Sequence, residues 1–246
     1  MRRSRHGAEG RGSAPDAARQ DMRQLIRHFS HDLHNPLVNM QALLNDMKLM
    51  LAEAEAGRPA VLKKEMPEVI NLIEQSVDRM GELINGANDI YHCMFDELEC
   101  EAVDMRELTE RVLNRFEGRL SNIDISLGPL PDLRADPLAL ARVVEQLIDN
   151  AVKSMQPAGG ELALSVEIGD DSGRLVVSDS GCGISRDDLE QMFLPFYTTR
   201  EGASGMGLAV VKALTEAHGG RVWCESEPGN GATFYATFPV LPGKLA

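Results

Sequence analysis

Apolar residues recur at steps of three and four through about the first fifty positions, a spacing typical of one face of a long helix. This first stripe consists of Met22, Ile26, Phe29, Leu33, Leu37, Met40, Leu44, Met47 and Leu51. A second stripe consists of Val69, Ile73, Ser76, Met80, Leu83, Ala87, Ile90 and Met94. Its average step of about 3.5 residues is that of a coiled-coil seam. We therefore predict one helix from about 19 to 55, a break at Gly57-Arg58-Pro59, and a second helix that begins near Pro67.

Two long helices joined by a short loop form an antiparallel hairpin, which cannot bury both of its apolar stripes by itself. Two hairpins related by a two-fold axis bury these stripes between them as a four-helix bundle. The pattern thus predicts a homodimer that forms through the helical hairpin. The alternative is that the hairpin packs on the domain that follows it.

After Cys100 the long stripes give way to short strands with alternating apolar residues, separated by turns and shorter helices. We predict strands at 101–103, 123–127, 161–168, 173–179, 221–226 and 232–238, and helices at 104–120, 136–155, 186–193 and 206–218. Asp104, with Glu107 three residues later, is expected to cap the first of these helices, and Asp136-Pro137 is expected to start the second. Strand pairs joined by tight turns favour an α/β sandwich with helices on one face. The predicted fold class is α+β, a dimeric helical bundle followed by this sandwich.

Composition is that of an ordinary globular protein, with 43% hydrophobic and 26% charged residues. The formal net charge of −13 argues against binding to nucleic acid or to anionic membrane surfaces. The four cysteines show no metal-type spacing, and no apolar stretch reaches the length of about 18 residues that predicts a membrane span. We therefore expect a cytoplasmic protein without direct membrane contact, which begins with a disordered basic arm at residues 1–18.

The first chemical candidate lies inside the first helix, in the segment Ser30-His31-Asp32-Leu33-His34-Asn35-Pro36-Leu37. His31 is two residues from both Phe29 and Leu33, so at about 100° per residue it points roughly opposite the apolar stripe. An outward imidazole beside a carboxylate can act as a nucleophile with a proton acceptor, although most exposed helical histidines are plain surface residues. Pro36 removes a helix hydrogen bond and predicts a kink near this site.

Three features of the second half together favour a nucleotide with Mg²⁺. Asp179 ends a strand just before a Ser-Gly-Cys-Gly turn, where the backbone can approach a flat ligand and the carboxylate can accept from an exocyclic amine. The glycine-rich loop at 202–207 leads straight into a helix, whose first N–H groups can bind phosphate. Asn150 and Lys153 lie on one helix face, where an amide oxygen can bind Mg²⁺ and an ammonium can contact phosphate.

These segments, taken in order, resemble the boxes of bacterial two-component sensor histidine kinases from about residue 19 to the end of the chain. Residues 30–37 are similar to the histidine box of that family, 146–153 to its asparagine box, 179–183 and 205–211 to its glycine boxes, and 193–199 to its phenylalanine box. The resemblance implies a dimerisation and histidine phosphotransfer domain at 19–99. It also implies a Bergerat-type ATP-binding catalytic domain at 100–246.

The same resemblance implies ATP-dependent phosphorylation of His31, with Asp32 as the acceptor of its proton. The phosphoryl group would then pass to an aspartate in the receiver domain of a cognate response regulator, and Asn35 would position a water that dephosphorylates the regulator. ATP and Mg²⁺ are the implied cofactors, with Asn150 and Gln146 as metal ligands. The implied nucleotide contacts are Asn150, Lys153, Asp179, Gly181, Gly183, Thr199, Gly205, Gly207 and Leu208.

Two positions depart from the family pattern. Gln146 replaces the asparagine that usually opens the asparagine box, and its amide is equivalent but reaches further by a methylene. His34 replaces an arginine, and we interpret it as a surface histidine. Gln146 supports an alternative in which the chain is a non-catalytic dimeric phosphorelay adaptor, or pseudokinase, that no longer uses ATP. A free-standing ATPase of the gyrase or chaperone type leaves the histidine box and the helical hairpin unexplained.

Overall fold

A computed structural model describes residues 14–55, 59–95, 97–169, 172–200 and 203–239. The chain divides into two compact units, the first ending at Ser76 and the second beginning at Val77. This division falls earlier in the chain than the predicted boundary at residues 99 and 100, so the last turns of the second long helix belong to the second unit.

Two long helices form the N-terminal part of the chain: α1 spans Ala14–Glu55 and α2 spans Pro59–Phe95. The expected order of a helical hairpin and then an α/β sandwich is confirmed. The predicted start of the second helix near Pro67 was wrong, because Pro67 is accommodated inside α2. Proline fits the first position of a helix, where its missing N–H leaves no intrahelical bond unmade, and Pro59 takes that position.

Some predictions fall on residues outside those described. Of the arm expected at 1–18, residues 14–18 belong to α1, and residues 1–13 lie outside the described ranges. Gly57 and Arg58 of the predicted break also lie outside them. Among the helices that the structure describes, none combines the length and the apolar character needed to cross a membrane.

The second half alternates short strands with helices. Its elements are β1 (Glu101–Val103), α3 (Met105–Arg115), β2 (Ile123–Leu127), β3 (Leu133–Ala135), α4 (Pro137–Met155), β4 (Gly160–Ile168), β5 (Ser172–Asp179), α5 (Arg186–Leu189), α6 (Gly207–Ala217), β6 (Val222–Ser226) and β7 (Ala232–Pro239). The predicted cap at Asp104 is present: its carboxylate accepts from the Glu107 N–H at 2.9 Å. Asp136 caps the helix that was predicted to start there, and its carboxylate accepts from the Leu138 N–H at 3.0 Å.

Three details of this half differ from the prediction. β3 was missed, because three residues between turns are too few to show alternation; it pairs antiparallel with β1. α3 ends at Arg115 instead of near residue 120, since the chain tightens into a 3-10 turn at Glu117–Arg119. α5 ends at Leu189 instead of near residue 193.

Five strands form a mixed sheet in the order β2-β4-β5-β7-β6. β2 is parallel to β4, and the other neighbours are antiparallel. Alternate residues of β5 and β7 are buried on the face that α4 and α6 cover. The buried residues of the sheet include Leu162, Leu164, Leu175, Val177, Phe234 and Phe238. Asp179 is the last residue of the buried series of β5, so the register of the sheet directs its carboxylate toward the helices.

The opposite face of the sheet carries the single tryptophan of the chain. Trp223 of β6 stacks on Tyr235 of β7, with ring centroids 5.0 Å apart and planes 15° from parallel. The Arg221 guanidinium lies 5.0 Å from the centroid of the indole, and that of Arg174 lies 5.4 Å from the centroid of the Tyr235 ring. Stacking and cation–π contacts therefore cover this part of the sheet.

His218, just after α6, is buried and connects α6 to the start of α4. Its Nε2 accepts a hydrogen bond from the Asp136 N–H at 3.0 Å, and its Nδ1–H donates to the Leu214 carbonyl oxygen at 2.6 Å. The ring packs edge-on against Phe238, with centroids 5.5 Å apart. Both ring nitrogens are therefore occupied by structural hydrogen bonds.

We expect His218→Phe to lower the free energy of unfolding by about 2 kcal/mol, because the ring remains while both hydrogen bonds are lost. Urea titration measures this change. Lys212→Ala, on the exposed side of α6, is the control and should change the free energy of unfolding by less than about 0.5 kcal/mol. An unchanged midpoint for His218→Phe would show that these two bonds contribute nothing to stability.

Candidate nucleotide-binding site

A cavity of about 410 Å³ opens in the second unit between α4, the end of β5 and the loops that precede α6. Most of the predicted nucleotide contacts line it: Asn150, Lys153, Asp179, Gly183, Thr199, Gly205, Gly207 and Leu208. Gln146, one of the two predicted metal ligands, lines it as well. Gly181 lies beside the cavity, where its N–H donates a hydrogen bond to Asp179. The structure thus brings together residues that are far apart in the sequence.

Asp179 is the buried carboxylate of the cavity, with 6% of its surface exposed. Its Oδ1 accepts hydrogen bonds from the Ser154 hydroxyl at 2.8 Å and from the Gly181 N–H at 2.8 Å. Burial raises the pKa of Asp179 above its ordinary value, although these hydrogen bonds oppose the shift. A carboxylate that is fixed in this way at a strand end can accept a hydrogen bond from the exocyclic amine of a base.

Two glycines beside the cavity are required by close approaches. A Cβ on Gly181 would collide with the Ser154 hydroxyl and lie 2.7 Å from Asp179 Oδ1, so only glycine keeps the Asp179 hydrogen bonds intact. Gly205 has a φ of 68°, and a Cβ there would lie 2.5 Å from the carbonyl carbon of Phe196. Phe196 itself has a φ of 66°, which is strained for an aromatic residue. Backbone strain is therefore concentrated where the segment around Phe196 meets the loop before α6 at Gly205.

One face of α4 supplies the polar wall of the cavity, with Gln146, Asn150 and Lys153 at helical steps of four and three. The Asn150 side-chain oxygen accepts a hydrogen bond from Arg200 Nη1 at 3.3 Å. The Gln146 side-chain oxygen lies so close to Gly207 that a Cβ there would collide with it. Glycine at the start of α6 therefore makes room for the longer amide of this chain.

The Lys153 ammonium is paired with two carboxylates of the second unit. Its Nζ lies 2.8 Å from Asp149 Oδ2 and 3.1 Å from Glu82 Oε1. Burial disfavours the charged form, but the two carboxylates outweigh burial and hold the pKa of Lys153 above its ordinary value. Lys153 is therefore positively charged at neutral pH, as a phosphate contact requires.

A metal in this cavity would have to be shared with the nucleotide. Within the described residues, no cluster of three or more His, Cys, Asp or Glu side chains could hold a metal ion. Mg²⁺ in such sites is usually held by one or two protein oxygens together with phosphate oxygens and water. The amide oxygens of Gln146 and Asn150 stand one turn apart on the cavity wall and fit a metal bound in this way.

Ser154 and Arg200 are among the cavity residues to which the sequence analysis assigned no role. Ser154, which donates to Asp179, follows Asn150 by four residues on α4, and this helical spacing was an available signal. Arg200, which donates to Asn150, follows the phenylalanine box and has no spacing that would predict its contact. Its contact depends on the loop conformation, which the local sequence does not determine.

A hydrogen-bonded group of side chains connects the segment of the phenylalanine box to α5. The Tyr197 hydroxyl donates to Asp188 Oδ1 at 2.6 Å, and the Ser185 hydroxyl donates to Asp188 Oδ2 at 2.6 Å. These bonds hold the pKa of Asp188 below its ordinary value. The sequence analysis had assigned no contact to either Tyr197 or Asp188.

His31 lies on α1 in the first unit, with 73% of its side chain exposed. Its Nδ1 is 2.9 Å from Asp32 Oδ1. This carboxylate favours the tautomer with the proton on Nδ1, which leaves a lone pair on Nε2. Asn35 is exposed one turn later, and Pro36 is buried. The exposure of His31 agrees with its predicted position opposite the apolar stripe.

We expect iodoacetamide to modify Cys182 faster than Cys224, and bound nucleotide to slow the reaction at Cys182. Cys182 is exposed and lines the cavity, whereas burial raises the pKa of the Cys224 thiol to about 12 and so suppresses the reactive thiolate. At a nucleotide concentration of about ten times Kd, labelling of Cys182 should slow about tenfold. Peptide mass spectrometry measures both rates, with Cys224 as the internal control. Equal labelling of Cys182 with and without nucleotide would place the ligand elsewhere.

Residues 135–242 match the family described as histidine kinase-, DNA gyrase B-, and HSP90-like ATPases. The histidine-protein kinase/phosphatase MprB of Mycobacterium avium is 29% identical over 92% of this chain and 44% of its own length. The chain thus spans less than half the length of this curated relative. The solved structure of full-length ShkA in complex with AMPPNP is 28% identical, with a TM-score of 0.59 over 72% of this chain and 39% of that chain.

A complex of the histidine kinase ThkA with the response regulator TrrA has a TM-score of 0.68 over 90% of this chain and 62% of that chain. At 24% identity this likeness is one of fold. The sequence relatives and the family match agree with the resemblance that the sequence motifs indicated. The sandwich is thus an ATP-binding domain of this ATPase family, and over most of its length the chain is a homologue of two-component sensor histidine kinases.

Proposed function

We propose that the protein is an ATP-dependent protein-histidine kinase that phosphorylates itself on His31. The observation that carries this proposal is an exposed imidazole with a carboxylate 2.9 Å from its Nδ1, in a chain that also holds an ATP-binding domain. Homology to kinases of this class supports the assignment.

In the proposed reaction, the lone pair of His31 Nε2 attacks the γ-phosphorus of ATP. The bond between that phosphorus and the bridging oxygen breaks, and ADP leaves with the electron pair. Attack makes the imidazole ring cationic, and the Asp32 carboxylate stabilises it by accepting the proton on Nδ1. The product carries the phosphoryl group on an exposed nitrogen, from which it can be transferred again.

The residues of the cavity have separate roles in binding ATP. Asp179 accepts a hydrogen bond from the exocyclic amine of adenine. Lys153 and the N–H groups at the start of α6 contact phosphate oxygens. Mg²⁺, when bound through Asn150 and Gln146, offsets the negative charge of the phosphates.

The proposed acceptor of the phosphoryl group is an aspartate in the receiver domain of a separate response regulator. The solved complex of ThkA with a response regulator supports this class of partner. We include phosphatase activity toward the same regulator, in which Asn35 positions the attacking water one turn from His31. The name of the relative MprB, a kinase/phosphatase, supports this second activity. Asn35→Ala should slow phosphate release from the phosphorylated regulator without slowing phosphorylation of His31.

The proposed assembly is a homodimer that forms through α1 and α2. Leu37, Leu44 and Leu51 recur every seven residues along α1 and are 45%, 48% and 48% exposed. A row of half-exposed leucines with this period is typical of a seam that a partner helix buries. Light scattering on the purified protein measures the mass, and a monomer at all concentrations would contradict the proposal.

Incubation with ATP labelled at the γ-phosphate, in the presence of Mg²⁺, tests the kinase proposal. The label should be lost in acid and survive in base, as expected for phosphohistidine, and label at the α-phosphate should not be incorporated. Gln146 favours the competing proposal of a pseudokinase adaptor, which predicts neither nucleotide binding nor label. Absence of both would overturn the kinase proposal.

A further inference from the structure

One stripe of α2 lies against the nucleotide cavity. Glu82, Gly86, Asp89 and Cys93 follow one another at steps of four, three and four, and therefore share one side of the helix. Glu82 and Gly86 line the cavity together with the loop before α6. All of these residues belong to the second unit. This part of α2 thus contacts the end of the cavity to which phosphate binding is assigned.

Two ion pairs attach the stripe to α4. Glu82 Oε1 lies 3.1 Å from Lys153 Nζ, and Asp89 Oδ2 lies 2.7 Å from Arg142 Nε. The four side chains are between 25% and 43% exposed, so the pairs are partly shielded from water. Because the partners are 71 and 53 residues apart, these contacts hold two separate elements together.

Gly86 lies between the two acidic residues and contacts the loop before α6. A Cβ on Gly86 would lie 2.8 Å from the Cβ and 3.2 Å from the Cε of Met206. Met206 is itself buried, with 1% of its surface exposed. The missing side chain therefore allows α2 to pack directly on the loop that leads into α6.

We propose that Glu82 competes with ATP phosphate for Lys153, so that docking of α2 on the cavity and binding of ATP exclude each other. The inference rests on the proposed function, since it takes Lys153 as a phosphate contact. A carboxylate and a phosphate oxygen pair with an ammonium in the same way. Asp149 already supplies one carboxylate, so Glu82 is the anion that leaves when phosphate arrives.

This competition couples the two events in both directions. ATP undocks α2 from the cavity, and by thermodynamic reciprocity any change that undocks α2 raises the affinity for ATP. Asp89 takes part through docking, because its partner Arg142 lines the cavity but is not one of the proposed nucleotide contacts. The docked helix is thus an internal inhibitor of nucleotide binding.

Cys93 reports whether α2 is docked. It lies one turn after Asp89 on the same stripe and is half-buried, and burial together with the Asp89 carboxylate raises the pKa of its thiol to about 11. Undocking exposes Cys93, so its alkylation becomes faster. ATP should therefore accelerate labelling of Cys93 while it slows labelling of Cys182.

Calorimetric titration of the full chain with AMPPNP and Mg²⁺ tests the proposal. Glu82→Gln and Asp89→Asn should each tighten binding by about two- to fivefold, the range expected for loss of a partly exposed ion pair. The matched control is Asp78→Asn, which lies one turn before Glu82, changes the net charge equally, and should leave the affinity unchanged. Of these two docking variants, Glu82→Gln should also make Cys93 react faster than in the wild type before any nucleotide is added. Asp89→Asn does not serve for this readout, because it also removes the carboxylate that raises the pKa of Cys93.

Equal affinities in the wild type and both docking variants would overturn the inference and leave the proposed function intact. A rate of Cys93 alkylation that does not increase on addition of AMPPNP would likewise overturn the inference and leave the proposed function intact. If neither the wild type nor Glu82→Gln binds AMPPNP, the proposed function fails, and the inference fails with it.

Discussion

Asp179→Asn should weaken nucleotide binding about 100-fold, while the sandwich stays at least as stable as in the wild type. A hydrogen bond to a charged acceptor is worth roughly 1.5–3 kcal/mol, and an asparagine can also turn its NH₂ group toward the amine of the base. The substitution preserves the shape of the side chain. Its amide oxygen can still accept from the Ser154 hydroxyl and the Gly181 N–H.

The expected stability follows from the direction of the pKa shift. Burial raises the pKa of Asp179 in the folded protein above the ordinary value of 3.8, so the folded state holds the proton more tightly than the unfolded chain. The resulting stabilisation is fully present below the ordinary pKa and is lost as the pH rises through the raised pKa. At neutral pH the buried charge opposes folding, and asparagine carries no charge. The free energy of unfolding of Asp179→Asn, relative to that of the wild type, should therefore increase as the pH rises from about 4 to about 7.

Asp188→Asn is the matched comparison for the stability measurement, because hydrogen bonds from Ser185 and Tyr197 hold the pKa of Asp188 below its ordinary value. A lowered pKa means that the ionised carboxylate stabilises the folded state above the unfolded pKa, so this substitution should lower stability at neutral pH. Thermal unfolding across the pH range measures the stability of both variants. Titration with AMPPNP measures the nucleotide affinity of Asp179→Asn. Wild-type affinity in Asp179→Asn would refute the adenine contact.

His31→Gln should reduce incorporation of the γ-phosphate label by at least about 1000-fold, as expected for removal of a nucleophile. Glutamine is a good helix former, but its amide nitrogen has no lone pair available to attack phosphorus. His31 is not among the residues that line the nucleotide cavity. We therefore expect the affinity for AMPPNP to remain that of the wild type.

His34→Gln controls for the loss of an exposed imidazole three residues further along α1. It should retain the label, because His34 has no role in the proposed reaction. Label counting and mass spectrometry of the modified peptide distinguish the two variants. A label that survives in His31→Gln but disappears in His34→Gln would identify His34 as the phosphoacceptor instead.

Features with a long repeat or a local cap could be predicted from the sequence. The stripes of α1 and α2 extend over many helical turns, Asp104 caps its helix as expected, and α4 starts after Asp136 as expected. β3 could not be predicted, because three residues carry no period and its stability comes from pairing with β1. The start of α2 was wrongly predicted at Pro67, since the tolerance of a helix for proline depends on its surroundings rather than on the residue alone.

The nucleotide cavity was predictable to the extent that its residues lie in short motifs. The contacts of Glu82 and Asp89 with α4 join residues 71 and 53 positions apart. No local sequence pattern predicts contacts over such separations. The space that Gly207 leaves for Gln146 likewise depends on tertiary packing and could not be predicted from local sequence. Gln146, the replacement that suggested a lost metal site, is therefore accommodated by Gly207, which the sequence had indicated only as a nucleotide contact.

Trp223, stacked on Tyr235 in the sheet, gives the chain an intrinsic optical probe of one unit. Its fluorescence emission reports unfolding of the sandwich. The far-ultraviolet circular dichroism signal comes mainly from helices, of which α1 and α2, with 42 and 37 residues, are the longest. Melting curves recorded by both signals on the unlabelled protein should coincide only if all parts of the chain unfold in one transition. Separated midpoints would assign a distinct stability to the sandwich without any engineered fluorophore.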